Sequence, residues 1–181
     1  MIVVFALALL TAHAGELAER RAYEREVAAA TSELKLYDGW YTALQLRGTL
    51  HTSALVAAQA ARMALLTDGA WRAAPAPEGI EMLLAASSQF PKELSFAADG
   101  TTPWTLTLRA GTKACAAPSA VRFIKKPTPT DRTLYPHLTE WDRVYLVHWA
   151  ADACGSKTPD GLSVHGRRGA GRLSWAGRSG T

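Results

Sequence analysis

The chain has 181 residues, of which 20 are Lys or Arg and 16 are Asp or Glu, and its formal net charge is +4 at pH 7. Residues 155–181 contain five of the basic residues and one of the acidic residues, so the rest of the chain carries 15 of each and is neutral. The excess charge is confined to one end, and the export predicted below argues against nucleic-acid binding. The length fits one domain with a sizeable core.

Residues 1–14 have the pattern of a secretory signal peptide. Residues 2–10 are apolar, a run about half as long as the ~20 residues that a membrane-spanning helix needs. The small residues Ala12 and Ala14 flank His13 and predict cleavage after Ala14. No Lys or Arg precedes the run, which departs from the usual pattern, and a buried N-terminal helix or strand is the alternative. No later run is long enough to span a membrane.

The strong preference for Arg over Lys and the absence of Asn are typical of a GC-rich bacterial gene. We therefore expect a secreted bacterial protein, located in the periplasm, the cell envelope or the medium.

A helix is predicted over residues 15–36, where charges of mixed sign recur at helical spacing and Asp38-Gly39 ends the segment. Residues 37–181 are then expected to form a single domain. Alternating apolar residues predict a strand over 40–50, and the next segment, 54–69, is a helix that Thr52 or Ser53 can cap.

Residues 78–90 are predicted to form a short helix that stops at Pro91. After Glu93 the pattern alternates, which predicts a hairpin over 93–110, strands over 119–126 and 142–149, and a final basic, Gly-rich hairpin in preference to a disordered tail. The order of elements predicts the α+β class: an antiparallel β-sheet in the C-terminal two-thirds, with two or three N-terminal helices packed on one face.

The chain contains two cysteines, Cys115 and Cys154, which allow a single intramolecular pairing. In an exported protein an even count favours a disulfide bond. Two free thiols or a metal-binding pair are the alternatives, although a separation of 39 residues without a Cys-x-x-Cys motif is not typical of a metal site.

The segment 126–149 contains the best candidates for chemistry. His137 and Glu140 are three residues apart and would share a face of a helical turn, where Asp131 or Asp142 could join them as acid–base groups or metal ligands. The favoured interpretation is structural: a Pro-rich loop, an aromatic-anchored turn and a strand whose polar residues lie at element ends. No phosphate loop, calcium loop or nucleophile motif is present, so no cofactor or resident metal is expected.

Two further groups of residues could form binding surfaces. The six tryptophans fall mostly on the apolar parity of strands, so core packing is expected, with a sugar-binding platform as the alternative if several are exposed. The pairs Lys125-Lys126 and Arg167-Arg168 could form an anion-binding patch if their segments are neighbours, although solvated surface charge is the favoured interpretation.

Two stretches, YDGWYTALQLRGTLHTSAL and RFIKKPTPTDRTLYPHLTEWDRVYLV, resemble a group of uncharacterised exported bacterial envelope proteins, many of them described as lipoproteins. The resemblance implies a location in the envelope and supplies no activity, cofactor or catalytic residue. This chain departs from a lipoprotein in lacking a Cys after the apolar run.

Taken together, these patterns predict an exported, non-enzymatic structural or interaction module of the cell envelope. Its partners would be envelope components or another exported protein. The alternatives are a small hydrolase or metal-dependent enzyme that uses His137, Glu140 and Asp131 or Asp142, and a carbohydrate-binding domain that uses exposed tryptophans.

Overall fold

The alternating apolar residues of the chain form the facing surfaces of two antiparallel β-sheets. The computed structural model describes residues 2–70 and 78–175, with side chains from residue 16 onward. The larger sheet has the strand order β1-β2-β3-β7-β6, and the smaller sheet has the order β5-β4-β8-β9. The larger sheet consists of β1 (Thr31–Asp38), β2 (Tyr41–Leu50), β3 (Ile80–Ser87), β7 (Arg143–Trp149) and β6 (Ala120–Ile124). The smaller sheet consists of β5 (Lys113–Ala114), β4 (Trp104–Ala110), β8 (Gly161–Gly166) and β9 (Gly169–Ser174).

The main hydrophobic core lies between the two sheets. In β4 every second residue is buried, as expected for a strand with one face on a core. The larger sheet contributes inward side chains from β2, β3 and β7, and the smaller sheet contributes them from β4, β8 and β9. The largest of these buried side chains include Leu44, Leu46, Met82, Trp149, Leu108, Leu162 and Leu173.

Three helices cover the outer face of the larger sheet: α1 (Ile2–Ala30), α2 (Ser53–Leu66) and α3 (Pro129–Leu134). A second core forms there, in which Tyr23 and Val27 of α1 and Leu55 and Met63 of α2 pack with outward residues such as Leu83 of β3. The central part of the larger sheet is therefore buried on both faces. The α2 helix begins as predicted, because the Thr52 hydroxyl accepts a hydrogen bond from the Leu55 amide.

Strand β9 lies beside β1 and closes one side of the sandwich. The Ser174 amide donates to the Ser32 hydroxyl, and the Trp175 indole donates to the Ala30 carbonyl. The contact is close at Gly171, where a Cβ atom would lie 2.6 Å from a methyl group of Leu34, so a larger residue there would have to displace the Leu34 side chain. The last described residues of the chain are thus tied to the junction between α1 and β1.

The predicted α+β class is confirmed, while several boundaries within it are wrong. The strands form two sheets where one was predicted, and β1 and β2 precede α2 in the chain. The predicted helix 15–36 ends at Ala30, and residues 31–38 form β1. The predicted short helix 78–90 contains β3 instead, and residues 93–110 form no hairpin because Phe96 makes only an isolated bridge to Trp104.

The final hairpin and the cysteine pairing agree with the sequence-based predictions. Strands β8 and β9 pair along their whole length around the turn at Arg167-Arg168. Cys115, directly after β5, and Cys154, in the turn after β7, are joined by a disulfide bond. The disulfide therefore connects the edge of the smaller sheet to the larger sheet.

Candidate functional site

Of the four residues that the sequence suggested for catalysis, the structure brings His137 and Asp142 to a shared Arg47 and places Asp131 and Glu140 elsewhere. Arg47, on the outer face of β2, donates to both carboxylate oxygens of Asp142 at 2.8 and 3.1 Å, and also to the main-chain carbonyl of His137. The Asp142 carboxylate is buried, and it also accepts hydrogen bonds from the amide and hydroxyl of Thr139. His137 and Asp142 therefore share Arg47 as a neighbour and hold the segment before β7 on the sheet.

Asp131 and Glu140 take no part in this contact. Asp131 forms a capping box with Thr128 at the start of α3, in which each side chain binds the other residue's backbone amide. Glu140 is exposed to solvent. Within the part of the chain that the structure describes, no group of three or more His, Cys, Asp or Glu residues is arranged to hold a metal ion.

His137 is a largely buried imidazole in a positively charged environment. Its Nε2 atom lies 3.4 Å from the hydroxyl of Thr49. Burial, together with the Arg47 guanidinium, lowers the pKa of His137 to about 4, and the opposing effect of Asp142 is smaller. The imidazole is therefore neutral at neutral pH, which suits a packing role.

This pKa predicts that the fold loses stability in mild acid. The unfolded chain takes up a proton near pH 6.5 and the folded chain only near pH 4, so stability is complete above about pH 6.5 and falls as the pH decreases. The loss should approach roughly 3 kcal/mol near pH 4. Urea unfolding at several pH values would measure it. His137→Gln should flatten the pH dependence between 6.5 and 4.5, whereas His165→Gln, on the exposed face of β8, should not; equal slopes in all three proteins would contradict the assignment.

A second polar cluster, which the sequence did not suggest, lies at the opposite end of the same sheet face. Both oxygens of Glu81 in β3 are engaged at 2.6 Å, one by Nδ1 of His51 and the other by Nε2 of His148. The hydroxyl of Tyr135 lies 2.7 Å from Nε2 of His51. Glu81 and His148 are cross-strand partners in the pairing of β3 with β7, a relation that the sequence alone does not reveal.

The charge of Glu81 determines which groups of this cluster donate hydrogen bonds and which accept them. Burial raises the pKa of its carboxyl, but the hydrogen bond from His51 and the positive charges of His51, His148 and Arg122 outweigh burial and bring the pKa below its ordinary value. An ionised carboxylate only accepts hydrogen bonds, so both imidazoles donate to it. When His51 is neutral, the Tyr135 hydroxyl donates to its Nε2.

The Tyr135 hydroxyl, the His51 imidazole and the Glu81 carboxylate follow one another in the order found in catalytic triads. In such triads a hydroxyl nucleophile contacts a base, and an acid orients that base. The hydroxyl, however, belongs to a buried phenol, and burial raises the pKa of Tyr135 to about 12. The Tyr135 ring also stacks on His51, with ring centroids 5.8 Å apart. The arrangement is therefore suited to fastening the segment after α3 to the sheet.

The exposed aromatic residues of the described chain concentrate at one end of the sandwich. The β1–β2 turn, the end of β3, the end of β6, the start of β7 and the β8–β9 turn meet there, and we call it the loop end. Tyr37, Trp40 and Tyr41 form what we call the aromatic tip, at the β1–β2 turn, and Trp40 is 99% exposed. Trp141, just before β7, is 80% exposed.

The other described tryptophans, Trp104, Trp149 and Trp175, are buried as the strand parity predicted. The alternation over residues 40–50 predicts that the Trp40 side chain is buried with the other apolar residues of β2. This prediction is wrong, because Trp40 lies in the β1–β2 turn. A register shift between Leu36 and Tyr37 accompanies this change.

Arg168, in the β8–β9 turn, holds the aromatic tip in place. Its guanidinium forms ion pairs with Asp38 at 2.6 Å and with Glu93 at 2.8 Å, and it lies over the ring of Phe90, 3.7 Å from the centroid. The Phe90 ring in turn packs edge-on against Tyr41. The aromatic tip is therefore a hairpin turn that Arg168 and Phe90 hold in place, while its Trp40 side chain is exposed to solvent.

The alternative of an anion-binding patch, which requires the segments of Lys125-Lys126 and Arg167-Arg168 to be neighbours, is not met by the structure. Lys125 and Lys126 follow β6, at one edge of the larger sheet, whereas Arg167 and Arg168 lie near β1 at the other edge. Four strand spacings of about 4.8 Å separate the two edges. Arg168 is occupied by two carboxylates, and Arg167 lies 3.6 Å from Glu93.

Comparison of the chain with protein-family models, with curated proteins and with solved structures gives no match. Among the described residues, no helix combines the length and the apolar character needed to cross a bilayer.

Proposed function

We propose that this protein is an exported, non-enzymatic binding module of the bacterial cell envelope, and that the aromatic tip is its contact surface. The observation that carries the proposal is the 99% exposure of Trp40 on a braced turn. Burying an aromatic side chain is strongly favourable in water, so a Trp held away from every neighbour on a rigid support suggests that a partner covers it.

Export is supported by several independent features. Residues 1–14 have the pattern of a cleaved signal peptide, and disulfide bonds persist in oxidising compartments. The helix α1 runs through the proposed cleavage site after Ala14, and from residue 16 onward it buries Tyr23, Val27 and Ala30. The resemblance of two stretches to exported envelope proteins points to the same location.

A non-enzymatic role is supported by the placement of the polar residues. Arg47 engages the His137 main chain and the Asp142 carboxylate, Asp131 caps a helix and Glu140 points to solvent, so the four residues of the enzyme alternative do not form one site. The carbohydrate-binding alternative has one favourable observation, the exposure of both Trp40 and Trp141.

The proposal is tested by the sedimentation of purified protein with isolated bacterial envelopes. We expect Trp40→Ala to weaken binding at least about tenfold, as for an interface hot spot, and to change the free energy of unfolding by no more than about 0.5 kcal/mol. Leu65→Ala, at an exposed site on α2, is the matched control and should bind as the unchanged protein does. If Trp40→Ala binds envelopes as well as the unchanged protein, the aromatic tip is not the contact surface.

The proposed export can be checked separately from binding. When the chain is expressed in a bacterial host, the mass of the protein recovered from the periplasm should correspond to residues 15–181 with one disulfide bond. Recovery of the intact chain from the cytoplasm, with both thiols reduced, would contradict export.

A further inference from the structure

We propose that the loop end docks on the surface of an anionic lipid bilayer, with Trp40 inserted at the level of the headgroups. This inference rests on the proposed envelope-binding function and names its ligand. It is carried by the composition, the charge and the shape of one end of the sandwich.

The exposed aromatic residues at this end are of the types that favour a membrane interface. Trp and Tyr combine an apolar ring with a polar N–H or O–H, so they are stable where hydrocarbon meets water. Both of the exposed tryptophans in the described ranges, Trp40 and Trp141, lie at the loop end, and Tyr37 and Tyr41 flank Trp40. The buried tryptophans lie within the sandwich.

The charges around the aromatic tip leave an excess of positive charge. Arg168 pairs with the carboxylates of both Asp38 and Glu93. Arg167 also lies 3.6 Å from Glu93, so the two arginines balance the two carboxylates, and the exposed Lys92 leaves these five residues with a net charge of +1.

Further along the loop end, the exposed basic residues Lys125 and Lys126 are matched by the exposed acidic residues Asp99 and Glu140. The loop end therefore carries a small net positive charge, which complements an anionic membrane, where each basic residue near the surface contributes about 1 kcal/mol.

The shape of the loop end favours a bilayer over a sugar chain. Strand β2 continues four residues past Gln45, its last residue paired with β3, and residues 88–90 support it as far as Thr42, so the aromatic tip projects as a short turn. Trp141 lies two residues before β7 and is not carried outward by this hairpin. Sugar binding needs rings side by side on a flat face, whereas a soft bilayer accepts a single protruding tip.

The experiment measures the binding of the full chain to unilamellar vesicles of phosphatidylethanolamine and phosphatidylglycerol at a 3:1 ratio, with pure phosphatidylcholine for comparison. Lipids brominated near the headgroup quench an inserted tryptophan. We expect quenching in the anionic vesicles that disappears in Trp40→Phe and persists in Trp141→Phe. This site-specific readout separates Trp40 from any contribution of the apolar residues 2–10.

Two binding measurements accompany the quenching. Trp40→Ala should weaken vesicle binding about tenfold. The double variant Lys92→Gln with Arg167→Gln should weaken it by roughly tenfold or more, because each removed charge accounts for about fivefold. Raising the salt concentration from 0.1 M to 0.5 M should weaken the binding of the unchanged protein but have little effect on the double variant.

The outcomes distinguish this inference from the function on which it rests. If Trp40 is not quenched in anionic vesicles, while Trp40→Ala still weakens sedimentation with lipid-free peptidoglycan or with whole envelopes, the lipid is the wrong ligand and the binding module stands. If Trp40→Ala alters neither vesicle binding nor envelope binding, both proposals fail. Quenching of equal strength in phosphatidylcholine would overturn the anionic requirement.

Discussion

Replacing Asp142 with Ala is expected to lower the free energy of unfolding by about 3–5 kcal/mol, the range for removal of one partner from a buried ion pair. The Asp142 carboxylate is buried and receives two hydrogen bonds from Arg47 and two from Thr139. Its removal leaves the guanidinium largely buried beside His137 without a counter-charge. Urea denaturation at pH 7 would measure the change.

Asp131→Ala provides the matched comparison, because the sequence grouped both carboxylates as candidate acids. Asp131 lies in the capping box of a short, exposed helix, so its loss should cost only about 1 kcal/mol. The variant Arg47→Met with Asp142→Leu removes both charges and should be less destabilised than the sum of its single variants. Equal effects of Asp142→Ala and Asp131→Ala would contradict the buried pair.

Removing the disulfide bond is the second change with a large expected effect. Cys115 and Cys154 are 39 residues apart, and the loop they close contains β6, α3 and β7. Without the crosslink the unfolded chain gains the entropy of this loop, so Cys115→Ala with Cys154→Ala should lose about 3–4 kcal/mol of stability. Denaturant unfolding of oxidised, reduced and double-variant protein would measure it.

Reduction and double substitution should have similar effects, because both open the same loop. The main core between the sheets should survive in both, since Leu44, Leu108 and Leu162 do not depend on the crosslink for their contacts. Identical denaturation midpoints for the oxidised and reduced proteins would show that the bond does not constrain the unfolded chain.

Elements with one buried face could be predicted from the local pattern, and elements with two buried faces could not. The strand β4 alternates and the helix α2 is capped by Thr52, so both were recognised. Strand β3 includes the consecutive buried residues 82–86, because one of its faces packs on the smaller sheet and the other on the helices. Because its sequence does not alternate, the local pattern predicts a helix over residues 78–90 instead of this strand.

The candidate sites show the same division. The aromatic residues near Asp38-Gly39 are visible in the sequence, but parity placed Trp40 in the core, and only the turn geometry exposes it. Arg47 lies between the apolar residues of the alternating segment 40–50, yet nothing local indicates that the segment after α3 covers it. Glu81 and His148 come from strands 67 residues apart, and pairing of β3 with β7 brings them together.

The sequence by itself determined the α+β class, the pairing of two cysteines, the final hairpin and the confinement of the net charge to one end, because composition, short periodicity and turn residues are local properties. The tertiary structure decided that there are two sheets, which carboxylate is buried, how two histidines meet Glu81 and that Trp40 faces solvent. These depend on strand order and on which layer covers a face, and both are set by contacts between residues far apart in the chain.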